Sequence, residues 1–284
     1  MNEEQIISKV LRKIKKYTDK QCCEFGASDG ILGSNTYNLI RNHNYSAILI
    51  EGSKKKFNQL IKNFPEKKVI KLNECVNITG KKKLDNILKN THFNKDFDFL
   101  SIDIDGADYH IFDSLTTYTP KLICIEFNPT IPNDVYFVQK KDIKSNTGSS
   151  AKAIISLAVK KNYFPIAATG VNLFFINNRF RKLVTTHKTF NIEKLIPDSK
   201  KNYIFCGYDG VIYTSGKFEL PWHRIKIIKL NKIPFFLRNY PGNYNFFQSI
   251  CWFMMLFFLN PDKYLKKPYH YTKIFYKNIT NRLM

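Results

Sequence analysis

Arginine is scarce in this chain: only seven of the 45 basic residues are Arg, and 23 acidic residues oppose them. A formal charge of +22 and a pI of about 9.6 would ordinarily point to nucleic acid or to anionic membranes. The excess is spread along a Lys- and Asn-rich sequence, with no Arg-lined or glycine-rich aromatic motif. Nucleic acid is therefore not expected as a partner. The six cysteines (Cys22, Cys23, Cys75, Cys124, Cys206, Cys251) contain no C-x-x-C pair, which argues against a metal knuckle and for buried thiols in a reducing compartment. Met1-Asn-Glu-Glu opens without a basic segment leading into an apolar one, so secretion is not expected and a cytoplasmic location is. The longest apolar run, Phe246 to Leu259, has about fourteen residues and is interrupted by Gln248 and Ser249; a spanning helix needs roughly 18 or more. There is no internal repeat and no complete G-x-G-x-x-G fingerprint.

An alternation of strands and helices is present. Apolar spacing predicts a first helix over 3–17 and then strands at 21–25, 47–50, 68–72, 97–104, 122–127, 164–168 and 173–176. Helices are expected between them at 34–42, 54–63, 84–89, 109–115 and 149–161. Strands this rich in Ile, Leu and Phe imply a mostly parallel sheet covered on both faces. The short link around Gly170 suits an antiparallel last hairpin. The expected fold is α/β and Rossmann-like, a seven-stranded sheet of the class I methyltransferase shape over residues 1–182. A C-terminal extension over 183–284 follows, with short strands and then an aromatic, Lys-rich tail broken by prolines.

The first strand runs into Glu24-Phe-Gly-Ala-Ser-Asp-Gly30, and a second apolar strand ends in Glu51-Gly52. Glu51 follows Gly30 by 21 residues, near the ~20-residue offset at which a carboxylate grips a ribose hydroxyl. A loop containing Asp29 repels pyrophosphate. It suits a ligand with a cationic amino-acid end and a bare ribose, of which S-adenosylmethionine is the commonest. The residues expected to bind it are Glu24, Gly26, Ala27, Asp29, Gly30, Ser34, Asn35, Thr36, Glu51 and Asp103, with adenine near Leu72 to Val76. Glu74 in that stretch reads equally well as an exposed loop charge.

In open α/β sheets the ligand lies beyond the carboxyl ends of the strands. Here the fourth strand ends in Ser101-Ile-Asp-Ile-Asp-Gly-Ala-Asp-Tyr-His110 and the fifth in Ile125-Glu-Phe-Asn-Pro. Alternation puts Asp103 and Asp105 on one side of their strand and Glu126 and Asn128 on one side of its neighbour. Those four oxygen donors suit Mg²⁺ or another divalent cation, which would lower the pKa of an attacking hydroxyl. The competing reading makes Asp105 and Glu126 helix caps or loop acceptors. Asp103, Asp105 and His110 are the candidate catalytic groups, His110 because imidazole titrates near neutrality.

These residues, with Ile50-Glu-Gly-Ser, Leu84-Asp85 and Asp98-Phe-Leu-Ser-Ile-Asp-Ile-Asp-Gly-Ala-Asp108, resemble FkbM-type S-adenosylmethionine-dependent methyltransferases over roughly residues 20–180. Cys124-Ile-Glu-Phe-Asn-Pro, Gly148-Ser-Ser-Ala and Val171-Asn-Leu-Phe-Phe-Ile look like a branch found among bacterial surface-glycan genes. The resemblance implies O-methylation of a sugar or polyketide hydroxyl, hence a small-molecule or glycan acceptor and a role in polysaccharide biosynthesis. It also implies an acidic residue in the loop after strand four, usually Glu and here Asp108.

Two other readings stay open. An RNA ribose methyltransferase would use the basic charge, but neither strand four nor strand five ends in the lysine that such chemistry favours. A non-catalytic or membrane-docking scaffold would use the tail, where the aromatic run beside Lys263, Lys266 and Lys267 suits peripheral contact with the inner face of an anionic membrane. The same run would serve as a helix packed into the domain or as a dimer contact.

Overall fold

The computed structural model describes residues 2–104, 106–141, 146–197, 204–206, 212–214, 218–220, 225–227, 234–237 and 244–259. The chain divides into two compact units, Met1–Lys201 and Asn202–Met284. The boundary expected after residue 182 thus moves, because Val184 and Ile196 are buried in the first unit's core and Asn133 donates to the Ile196 carbonyl at 2.7 Å.

In the first unit, β1 (Gln21–Phe25), β2 (Ser46–Ile50), β3 (Val69–Leu72), β4 (Phe99–Ile102), β5 (Leu122–Glu126), β6 (Tyr163–Ala168) and β7 (Asn172–Asn177) form one sheet in the order β3-β2-β1-β4-β5-β7-β6. The first five strands are parallel, and β7 runs antiparallel to both β5 and β6. Helices α1 (Glu3–Lys13), α2 (Tyr37–Asn42), α3 (Lys54–Asn63), α4 (Leu84–Lys89), α5 (Asp108–Ser114), α6 (Ala151–Lys160), α7 (Arg181–Val184) and α8 (Ile192–Leu195) complete it.

Strand residues are mostly apolar because alternate side chains enter two different cores. Cys23, Phe25, Ile48, Ile50, Leu100 and Ile102 join the cluster that includes Leu84, Ile111 and Ile154; Cys22, Ala47, Leu49 and Phe99 join the one that includes Ile7, Leu39 and Leu60. Pro165, which has no amide to donate, sits at a register shift in the edge strand β6. Cys22, Cys23 and Cys124 are buried thiols as expected, whereas Cys75 is exposed.

Helix α1 is shorter than the predicted 3–17, ending at Lys13 with a 3-10 turn after it. Its start is fixed by a capping box between Asn2 and Gln5. Helix α2 begins at Tyr37 instead of Ser34, because the side chains at 34–36 are committed elsewhere.

In the second unit, β8 (Ile204–Cys206) pairs antiparallel with β9 (Ile212–Thr214), and β10 (Phe218–Leu220) with β11 (Ile225–Ile227). A 3-10 turn at Phe235–Leu237 precedes α9 (Phe246–Leu259). No helix of the described residues is long and apolar enough to cross a membrane.

Candidate active site

The loop leaving β1 is wound by four residues with positive φ: Gly26 (76°), Ser28 (53°), Gly30 (75°) and Gly33 (75°). Two of these glycines are required by their neighbours. A Cβ on Gly26 would stand 1.8 Å from the Asp103 carbonyl oxygen, and one on Gly30 would stand 2.4 Å from the Phe64 ring. Their missing side chains let the loop pack against the end of β4 and against α3.

Glu24, 4% exposed on β1, is a clasp. Its carboxylate accepts from Ser34 Oγ at 2.6 Å, Thr36 Oγ1 at 2.6 Å and the Asn35 amide at 2.8 Å. Burial raises its pKa, those three bonds oppose the rise, and the nearby Asp103 charge adds to it. Asn35 Nδ2 donates to Ser101 Oγ at 2.9 Å, tying the same segment to β4. Ser34, Asn35 and Thr36 were expected to face the methionine end of a cofactor; they face Glu24 and the strand ends instead. This use of short polar side chains explains the late start of α2.

Glu51, 7% exposed, stands at the end of β2. Its Oε2 accepts from the Ser28 amide at 2.8 Å and its Oε1 from the Ser53 amide at 2.6 Å, so it staples the first loop to the second. A carboxylate has about four acceptor positions, and two amide bonds leave room for ribose hydroxyls. Ala27, beside it, is buried and donates its amide to the Ile50 carbonyl at 3.1 Å. Asp29 is turned into its own loop: Oδ1 accepts from the Ile31 and Leu32 amides, both at 3.0 Å, and those two bonds lower its pKa. Asn73 donates to the Glu51 carbonyl at 2.8 Å, while Glu74 pairs with Lys82 at 3.0 Å.

Asp103 lies within electrostatic reach of Glu24, Asp108 and Cys124 at the mouth. Asp108, 3% exposed at the start of α5, folds its carboxylate back onto the Ile104 amide at 3.0 Å and the Gly106 amide at 2.9 Å. Burial pushes its pKa up to about 7 against those bonds. Asp105 lies outside the described residues.

His110 is buried, and its Nε2 is 2.8 Å from the Gln139 carbonyl oxygen. A carbonyl only accepts, so Nε2 carries the hydrogen there and is not the nitrogen that takes a proton from substrate. Of the expected metal set, Asp103, Glu126 and Asn128 are among the described residues. Asn128 Oδ1 accepts from Thr130, through its amide at 2.9 Å and its hydroxyl at 2.6 Å. Among the described residues no group of three His, Cys, Asp or Glu could hold an ion.

Sequence reasoning missed the far rim. β7 places Asn172 opposite Glu126 of β5. Asn172 is 5% exposed with no hydrogen-bond partner for Oδ1. Burial raises the carboxyl of Glu3, at the start of α1, but hydrogen bonds including those of Thr169 and Asn172 leave its pKa lowered. Glu126 was expected at this edge, but no local pattern marks Glu3 and Asn172 as its neighbours, since residues 3, 126 and 172 meet only through the order of the sheet. The doublet Glu3-Glu4 after a capping Asn was the one available signal.

A 3-2-1-4-5-7-6 sheet with acids at the carboxyl ends of β1, β2 and β4 defines a protein of the class I S-adenosylmethionine-dependent methyltransferase architecture. Residues 66–163 match the family model described as the methyltransferase FkbM domain. The match begins after Glu51, so the two acids of the first crevice lie outside it. No curated protein matches the chain. Among solved structures, it is similar to a putative sarcosine dimethylglycine methyltransferase from Galdieria sulphuraria (12% identity, 58% of this chain and 62% of that one, TM-score 0.38). This chain therefore spans less than two thirds of that protein. It is also similar to the N-methyltransferase NodS from Bradyrhizobium japonicum WM9 (10% identity, 62% and 96%, TM-score 0.38) and to TrmK of M. capricolum in complex with S-adenosylhomocysteine (14%, 64% and 72%, 0.37). Likeness this partial says nothing of substrate.

Proposed function

We propose that this protein transfers a methyl group from S-adenosylmethionine to a hydroxyl of a sugar, glycan or glycolipid intermediate. The observation that carries the reading is the pair of buried carboxylates, Glu24 and Glu51, at the ends of adjacent parallel strands. Among the described residues every hydrogen bond to them comes from backbone amides or neutral hydroxyls, and no Lys or Arg is hydrogen-bonded to their carboxylates. Such a crevice favours a sulfonium nucleoside over a pyrophosphate.

The residues present fit that cofactor. Glu51 would hold the ribose through its remaining lone pairs, and the β1 loop, wound by Gly26, Ser28 and Gly30, would carry the amino-acid end. Bound there, S-adenosylmethionine supplies an already activated methyl group, so what the chain adds is chiefly orientation. Asp103, at the end of β4, is the carboxylate proposed to accept the hydroxyl proton. Glu126 and Asn172, on paired strands, offer acceptor oxygens to further hydroxyls, as a polyhydroxylated substrate requires. Asp103 and Glu126 are also what remains of a divalent-cation set, whose need is decided by assay with and without EDTA.

Calorimetry on the purified chain should give binding of both S-adenosylmethionine and S-adenosylhomocysteine, and a screen of hydroxylated acceptors should give methyl transfer. If neither nucleoside binds, the reading fails; if both bind and only amine acceptors turn over, the cofactor part stands and the hydroxyl part falls.

A further inference from the structure

Helix α9 is apolar nearly all round: Phe-Phe-Gln-Ser-Ile-Cys-Trp-Phe-Met-Met-Leu-Phe-Phe-Leu. A helix of that composition is normally buried. This one is not. At 100° per residue, Phe246, Phe257, Ile250, Met254, Phe247 and Phe258 fall within about 120° of arc. Along that stripe Phe246 is 59% exposed, Phe247 66%, Met254 48% and Phe258 72%. The opposite side carries Trp252, buried with its ring 5.9 Å from that of Tyr244. The apolar surface continues into the preceding 3-10 turn, where Phe236 stacks on Phe247 with ring centres 6.4 Å apart and Gln248 donates to the Phe236 carbonyl at 2.7 Å. Phe235 beside it is 86% exposed.

Charge identifies the occupant. Residues 202–284 carry twelve Lys and Arg against three acids (Asp209, Glu219 and Asp262), and none of the 23 residues from 239 to 261 is charged. A second copy would bring two units of the same positive sign together, whereas an anionic surface attracts both the basic flanks and the rings between them. Fourteen residues of helix rise about 21 Å, short of the ~30 Å hydrocarbon layer. We propose that the aromatic face of α9 and its preceding turn seats this protein on an anionic lipid surface, lying in the interface and not crossing it.

The test is flotation of the full chain with vesicles of phosphatidylcholine alone and of equimolar phosphatidylcholine and phosphatidylglycerol. The unaltered chain should float with the anionic vesicles, be left behind by the neutral ones, and be released by salt. Phe247→Glu with Phe258→Glu, both on the exposed stripe, should lower the bound fraction by about tenfold or more while S-adenosylhomocysteine affinity and far-ultraviolet dichroism stay unchanged. Indifference of the unaltered chain to both vesicles, or equal binding to both, overturns the proposal without any variant having to fold. So does a dimer in sedimentation that the same substitutions dissolve while vesicle binding is unaffected. Because nucleoside binding is measured in parallel, loss of the lipid result leaves the methyl-transfer reading standing, and the reverse.

Discussion

Both ends of the sheet bury carboxylates, and they treat them differently. Before the first residues of β4 and β5, Asp98 (0% exposed) meets Lys121 (2% exposed) at 2.9 Å. The ammonium also reaches Asp19 at 2.9 Å and the Asp96 carbonyl at 2.7 Å, so its three donors are spent. Burial pulls the lysine's pKa down, but these partners outweigh it and leave it raised. At the opposite end, among the described residues, Glu24, Glu51 and Asp108 take hydrogen bonds only from amides and hydroxyls. One end is neutralised from within. At the other, no Lys or Arg is hydrogen-bonded to these carboxylates among the described residues.

The contrast can be broken most sharply at the neutralised end. Asp98→Ala leaves a buried ammonium short of its main partner and should cost about 3–5 kcal/mol in urea unfolding. Pairing Asp98→Leu with Lys121→Met should recover much of that loss; a single-variant cost under ~1 kcal/mol would show the pair to be solvated. At the open end, Glu51→Gln should weaken S-adenosylmethionine and S-adenosylhomocysteine alike, by about 2 kcal/mol or some thirtyfold, since ribose is common to both. Glu24→Gln should discriminate: the sulfonium ligand loses about tenfold more than the uncharged thioether. Equal losses would reduce Glu24 to a loop clasp.

A further expected effect is in pH dependence. The carboxyl of Asp108, raised to about 7 in the folded chain, favours folding while protonated. Its contribution is whole in acid and fades as pH rises through about 7, so unfolding free energy should fall over that range and Asp108→Asn should flatten the slope. An unaltered slope would mean that the Asp108 carboxyl is solvated.

Local chemistry made much of the fold legible. β1 at 21–25, α3 at 54–63 and α4 at 84–89 lie where apolar spacing put them, because those segments have one dominant periodicity and clear breakers. The start of α2 was not legible, since whether Ser34 and Thr36 join a helix or bind Glu24 depends on a strand ten residues away. The site was legible as a list of acids after strands. Which of them fold onto their own loop, as Asp29 does, and which staple two loops together, as Glu51 does, was not.

Periodicity, turn residues and the placement of acids after strands are short-range properties, and the sequence by itself determined them: a parallel sheet, an antiparallel last hairpin, and an electronegative mouth. The tertiary structure alone decided which hydrogen bonds those acids make. It also turned His110 onto a carbonyl, brought Glu3 and Asn172 to the far rim, and left the aromatic stripe of α9 facing outward. The physical reason is that hydrogen-bond partners and solvent exposure are set by segments distant in the chain, and no local pattern encodes which of them will meet.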